Sequence, residues 1–168
     1  MKYIFFALLL FIITTVQAQV PERSKDNSGN VIIKGFIQKA DLGDSTFKWF
    51  AKGQQSYTPD AATVAAFRAQ KDSVHILAFG GTWCGDTKEI LPHVMEVLDS
   101  AGWAANRFTL VGVDRAKKAQ NNLTEIFGVT HVPTFILFKN GKEIGRTVEY
   151  GKIGMPEREL AQMLMRKP

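Results

Sequence analysis

The sequence predicts an α/β fold: a mixed central sheet flanked by helices on both faces, preceded by an N-terminal extension. Three observations carry this. Compact apolar runs, "SVHILAFG" (73–80), "RFTLVGVD" (107–114) and "TFILF" (134–138), alternate with helix-like stretches. Alternation of that kind buries strands beneath helices. Asn140-Gly141 then supplies the strongest short-range hairpin signal, so the last two strands run antiparallel. Finally, Pro156 opens a closing helix, "PERELAQMLMR", with Leu160, Met163 and Leu164 on one face.

Taken in order, residues 1–18 read as a secretory signal peptide. Lys2 gives a basic start, Tyr3 to Ile13 is nearly unbroken apolar sequence, and Val16-Gln17-Ala18 offers a cleavage site. The run falls short of the ~20 residues a spanning helix needs, so stable membrane insertion after cleavage is not expected. Residues 19–57 read as a leader with possible extra strands. "VPERSKDNSGN" (20–30) is polar and rich in turn formers, so it is expected to be mobile. "VIIKGFIQ" (31–38) suits a strand, "KADLGDS" a turn and "TFKWF" (46–50) a second short strand. A single domain is expected over 58–168. Thr58-Pro59-Asp60 reads as a helix start, the helix running to about Gln70. A strand over 73–80 leads into a helix from about Cys84 to just before Gly102, a natural C-terminal cap. A strand over 107–114 precedes a short helix, "AQNNLTEIF", stopped by Gly128. Then come the 134–138 strand, the returning strand "KEIGRTVEY" and the last helix.

Composition narrows the function classes. The net charge is +5, one less once Lys2 leaves with the leader, and the charges are mixed along the chain. No Lys/Arg cluster is interleaved with aromatics, so no nucleic-acid partner is expected. Neither zinc nor calcium ligand spacing occurs, and no cofactor is predicted. The chain has one cysteine, Cys84, so it can form no internal disulfide. In an exported protein that leaves a free thiol to explain.

Cys84 falls where a buried strand ends and a helix begins. The first turn of a helix carries unpaired N–H groups and the positive end of the macrodipole, which favour a thiolate. An inert buried cysteine is the alternative. Thr87, three residues on, shares a helix face with Cys84 and can donate a hydrogen bond to the sulfur; it also suits a plain first-turn position. Asp86 favours the helix end but opposes a neighbouring thiolate, and reads chiefly as a helix-start acid. His131 reads as an exposed loop residue, with an approach to Cys84 as the alternative. His75 and His93 read as strand and helix residues.

Several stretches together resemble the thioredoxin family. "TWCGDTK" (82–88) is similar to its W-C-G-P-C-K, with the proline and second cysteine replaced. Pro92 matches the proline of the family's active-site helix, "VPT" (132–134) its cis-proline segment, "LVGVD" (110–114) its third strand and "FKNGKEIGR" (138–146) its terminal hairpin. The resemblance covers about residues 59–168 and implies a thioredoxin fold. It places the nucleophile at Cys84 and the cis-proline at Pro133. It further implies that Val132 offers backbone contacts to bound peptide, and that Trp83, Gly85 and Asp86 border the binding groove. The chain departs from the pattern at three points: Thr87 replaces the resolving cysteine, Ala78 the usual buried aspartate, and Leu110 that aspartate's lysine partner.

Those departures form one set. Without a resolving thiol, no proton needs relaying, and burying a charge pair is unfavourable. One thiol can still exchange through a mixed disulfide. The sequence therefore predicts an exported monothiol-type thiol–disulfide oxidoreductase or isomerase, periplasmic or extracellular. Its partners would be disulfide- or thiol-containing exported proteins or small thiols. The alternative is a redox-inactive thioredoxin-like module that binds peptides or a partner in the same groove. An iron–sulfur site of the monothiol type is disfavoured by Trp83 and the export pattern. A peroxidase role is disfavoured because no arginine is evident near Cys84.

Overall fold

The computed structural model describes residues 20–166. The proposed signal peptide lies outside the described residues. Strands β1 (Glu22–Lys25) and β2 (Val31–Ile37) are followed by helices α1 (Lys48–Ser56) and α2 (Ala61–Gln70). Strand β3 (Val74–Gly80), helix α3 (Gly85–Ala101), strand β4 (Phe108–Gly112) and the short helix α4 (Leu123–Ile126) come next. The hairpin β5 (Thr134–Lys139) and β6 (Lys142–Val148) and helix α5 (Pro156–Met165) complete the chain. The sheet order is β1-β2-β4-β3-β5-β6. Strands β3 and β4 are parallel; the other neighbours are antiparallel.

The period-2 alternation of the strands divides the core between the two sheet faces. Val74, Ile76, Ala78, Leu110, Phe135 and Leu137 pack with helices α1, α2, α3 and α5. Phe79, Val111 and Ile136 point to the opposite face, under Val129, Val132 and the α4 region. Helices thus cover both faces, one heavily and the other lightly. Among the described residues no helix is long and apolar enough to cross a membrane.

Turn chemistry locates most element ends as expected. Asn140 and Gly141 take φ of 51° and 74°, the left-handed pair a tight hairpin needs. Gly102 ends α3 at φ 68°. Helix α2 starts slightly later than predicted. Asp60 is its N-cap, its carboxylate accepting from the Thr63 N–H at 2.9 Å and from the Thr63 hydroxyl at 2.7 Å.

The extension departs most from expectation. "TFKWF" is not a strand: it closes a 3-10 turn and begins α1. Phe47 and Phe50, three residues apart, are buried in the main core, which fixes the helical period. Burying each contributes about 1.5–3 kcal/mol. Gly53 lets α1 approach α3, since a Cβ there would lie 2.7 Å from the Pro92 side chain. Nor is "VPERSKDNSGN" a free leader. It forms β1, paired with β2 from Glu22↔Lys34 to Lys25↔Val31, and a turn organised by Asp26. Asp26 accepts from the N–H groups of Ser28 and Asn30. Beyond this hairpin β2 changes partner. Gly35, at φ 118°, marks the switch from β1 to β4, where Gly35 faces Gly112.

Candidate active site

Cys84 is the N-cap residue of α3. The preceding chain turns sharply off β3, closed by the Cys84 N–H donating to the Gly81 carbonyl at 2.8 Å. The Cys84 carbonyl then accepts from Lys88 N–H, starting the helix. Its side chain does not cap that helix. Instead Sγ points across to the Val132 carbonyl, 3.4 Å away, in a half-buried position. The Val132–Pro133 peptide bond is cis. The Pro133 carbonyl accepts from Glu149 N–H at 2.7 Å, which draws in the turn that follows β6. Two loops therefore meet at the sulfur, 81–86 and 131–133, and the turn at 148–151 supports the second.

Thr87 lies one turn behind Cys84, 2 % exposed. Its hydroxyl oxygen accepts from the Gly81 N–H at 3.2 Å. This corrects the expected bond to sulfur: Thr87 braces the loop before Cys84. The backbone amide of Gly81 takes the hydroxyl because the loop must turn within a residue or two of the strand end. The crevice behind Thr87, lined by Ile37, Gly80 and Leu110, is too narrow for a water molecule. Ala78 and Leu110, the positions of the missing charge pair, are direct neighbours in the β3–β4 register and both are buried. An apolar pair fills the place, so no charged group lies buried there without use.

Trp83 is more tightly held than a free rim residue. Its indole N–H donates to the Val113 carbonyl at 3.0 Å. One edge rests on Gly81, where a Cβ would stand 2.7 Å from the ring. The Arg115 guanidinium lies over the ring, 4.8 Å from its centroid. The structure thus brings an arginine beside the residue preceding Cys84, where the sequence suggested none. Gly85 is exposed, with open space where a side chain would project. Asp86 and Glu89 face Tyr150, whose hydroxyl bonds Glu89 at 3.2 Å. Burial of the ring and those two carboxylates push the Tyr150 phenol up to about 12.

Each histidine ring has a partner other than Cys84. His131 is exposed, its Nδ1 paired with the Thr130 hydroxyl. Burial and then Arg107 lower the His75 imidazole, which pairs with the Thr109 hydroxyl. His93 stacks on Tyr57 at 4.2 Å. Among the described residues no group of three or more His, Cys, Asp or Glu could hold a metal ion.

Residues distant in sequence complete the surroundings. Thr82, 4 % exposed, donates its hydroxyl to the Val31 carbonyl at 2.7 Å and accepts from Ile33 N–H at 3.1 Å. Asp26 and Asn30 reach Arg115 and Lys88. No local pattern flags these residues; they meet only because β1 and β2 fold onto the sheet edge.

The thioredoxin family model matches residues 60–164, which carry the sulfur, the cis-proline and the terminal hairpin. The chain belongs to the thioredoxin family. It is 34% identical over 77 residues to a thioredoxin of Malassezia sympodialis, covering 46% of this chain and 70% of that one. It is 35% identical over 91 residues to a thioredoxin of Echinococcus granulosus, covering 54% and 78%. A Pseudomonas aeruginosa protein of unknown function is similar in structure, with TM-score 0.56 and 15% identity over 77% of this chain and 92% of that one. That share exceeds residues 60–164, so part of the N-terminal extension has a structural counterpart there. In general terms the chain is a thioredoxin-fold protein of the thiol–disulfide oxidoreductase class.

Proposed function

We propose that this protein is an exported, monothiol-type thiol–disulfide oxidoreductase or isomerase that works through a mixed disulfide at Cys84. The observation carrying this reading is the position of Cys84 Sγ. It is half-buried at the start of α3, 3.4 Å from the carbonyl of Val132, with the cis-proline next in sequence and a buried threonine three residues on.

The Cys84 thiolate attacks one sulfur of a substrate disulfide; the other leaves as a thiolate and takes a proton from water. The protein–substrate disulfide then needs an external thiolate, because Thr87 carries no sulfur. If a second thiolate of the substrate attacks the substrate's own sulfur, a new substrate disulfide forms and Cys84 is released. No electrons are gained or lost overall, and the result is isomerisation. If a small thiol attacks Cys84 Sγ, the substrate leaves reduced. A second small thiol then frees Cys84, so two small thiols become one small disulfide. Backbone groups of the 131–133 loop and the wall at Trp83, Gly85 and Asp86 are suited to hold an extended polypeptide beside the sulfur. The signal-like segment at 1–18 supports export, which makes exported proteins with disulfides the natural partners.

The test is insulin disulfide reduction with and without a small thiol, alongside Cys84→Ser. Turnover is expected only with the small thiol and only with Cys84 present. Full activity in Cys84→Ser would overturn the proposal. Slow alkylation of Cys84 together with tight peptide binding would favour a non-catalytic binding module.

A further inference from the structure

The N-terminal hairpin touches both flanks of the cysteine. On one side Asp26 Oδ2 accepts from Arg115 Nε at 2.9 Å and Nη2 at 2.5 Å, and Arg115 lies over the Trp83 ring. On the other, Asn30 Oδ1 accepts from Lys88 Nζ at 3.3 Å, in the first turn of α3. The turn between them is internally fixed. Asp26 Oδ1 accepts the N–H groups of Ser28 and Asn30, and the Asn30 amide reaches both Asp26 oxygens. The Asp26 carboxylate is 7 % exposed although Arg115 is half exposed. Burial alone would raise it, but Arg115, Asn30 and the turn N–H groups hold it at about 2, so it stays charged throughout the neutral range.

We infer that the Asp26–Arg115 pair is a positioning device for Trp83, through which the N-terminal hairpin sets how tightly polypeptide docks beside Cys84. Trp83 is held at three places. Gly81 packs against the indole edge at Cε2, Nε1 and Cζ2, the Val113 carbonyl accepts from the ring N–H, and the guanidinium lies over the ring. The first two belong to the strand ends of the family domain. Only the third depends on the extension. An Arg over an indole is attracted by the ring's electron-rich face, and its planar group stacks in one orientation. Asp26 fixes that orientation by taking two N–H groups from one edge. Remove either partner and the ring keeps its edge bond but loses its cover, so it tilts into the space a docking chain would use. Neither residue contacts Cys84 in the structure, so the device acts on docking and not on the sulfur.

This inference rests on the proposed thiol chemistry for its kinetic readout, so the experiment carries a second readout that needs no turnover. Arg115→Ala, Asp26→Ala, the double variant and Arg115→Lys are compared with the parent protein. The Trp83 indole N–H resonance, assigned by its loss in Trp83→Phe, is followed by NMR. With insulin and a small thiol, KM and kcat are measured. Expected is a displaced Trp83 indole resonance in each alanine variant, with the indoles of Trp49 and Trp103 in place. KM should rise about two- to fivefold, the change a half-exposed cation–π contact corresponds to, with kcat held within about twofold. The double variant should match the single ones, because either loss dismantles the same pair. Arg115→Lys should fall between them and the parent. An unmoved Trp83 indole in both alanine variants overturns the inference, as does an unchanged KM in a protein that turns over. A parent protein without turnover would instead refute the thiol chemistry, and the indole resonances would still decide the clamp.

Discussion

Replacing Thr82 by valine keeps the shape of the side chain and removes one oxygen. In the structure that oxygen joins the extension to the active-site loop, two residues before Cys84. It donates to the Val31 carbonyl at 2.7 Å and accepts from the Ile33 N–H at 3.1 Å. Ile33 is fully buried, so no water can reach its amide once the hydroxyl is gone. An unpaired buried N–H costs roughly 1–3 kcal/mol. Val31 is only half-buried, so its carbonyl regains water and adds about 0.5 kcal/mol. The extra methyl returns up to about 0.8 kcal/mol. The net expectation is a loss of about 2 kcal/mol, or roughly 4–8 °C in Tm for a chain of this length. Urea unfolding followed by circular dichroism measures the loss, and amide exchange at Ile33 locates it. Thr82→Ser keeps the hydroxyl and should retain slow exchange at Ile33. If valine costs less than serine, and the Ile33 amide remains protected, the hydroxyl is not what joins the two parts.

Three further outcomes follow from the same geometry. In a single turnover with stoichiometric reduced protein and no other thiol, the parent should stall as a covalent adduct with a disulfide peptide. Thr87→Cys should release the reduced peptide and form an 84–87 disulfide, at a stability cost of about 1 kcal/mol for the lost Gly81 bond; mass spectrometry separates the two, and free peptide in its reduced form from the parent would contradict the one-thiol scheme. Asp60→Ala should lower stability by about 1–2 kcal/mol through the lost N-cap, whereas Asp60→Asn should keep most of it. Asp60 is held below the ordinary carboxylate value, first by the Thr63 N–H and hydroxyl, so its contribution is present above pH ~4 and lost as pH falls through the lowered value. The Asp60→Asn variant, whose cap does not titrate, should show a flatter acid limb in pH-dependent melts. Gly112→Ala should cost about 3 kcal/mol or more by thermal melting, because its Cβ would lie 2.2 Å from the Ile33 backbone carbonyl, which cannot rotate away.

What the sequence makes legible depends on whether the determining contact is local. The 140–141 hairpin, the Gly102 cap and the buried strands over 73–80 and 134–138 are written in neighbouring residues, and the structure has them. Helix α1 is different. Phe47, Trp49 and Phe50 suit a strand by propensity, and only the burial of Phe47 with Phe50 and the approach of Gly53 to Pro92 select the helix. Strand β1 has four exposed residues and no alternation, so it carries no periodic signal; its partner β2 and the Asp26 turn give it its order. Cys84 and the cis-proline could be placed from the family resemblance. Arg115 could not, because its partners Asp26 and Trp83 are 89 and 32 positions away and meet it only across the folded sheet edge.

The buried positions around the site are compatible with the proposed one-thiol chemistry. A family site that had merely lost its second sulfur would have no reason to keep its neighbours matched. Here Ala78 and Leu110 are register partners, so removing the charge from only one would bury the other unpaired. Both are apolar, and Thr87 in front of them spends its hydroxyl on Gly81, leaving no polar group stranded in the crevice. At the same time the surface side of the site is elaborated: Thr82 ties the loop to β2, and Asp26 aligns Arg115 over Trp83. Simplification behind the sulfur and added bracing beside it are what a protein needs if release depends on an incoming thiol while docking remains its own task.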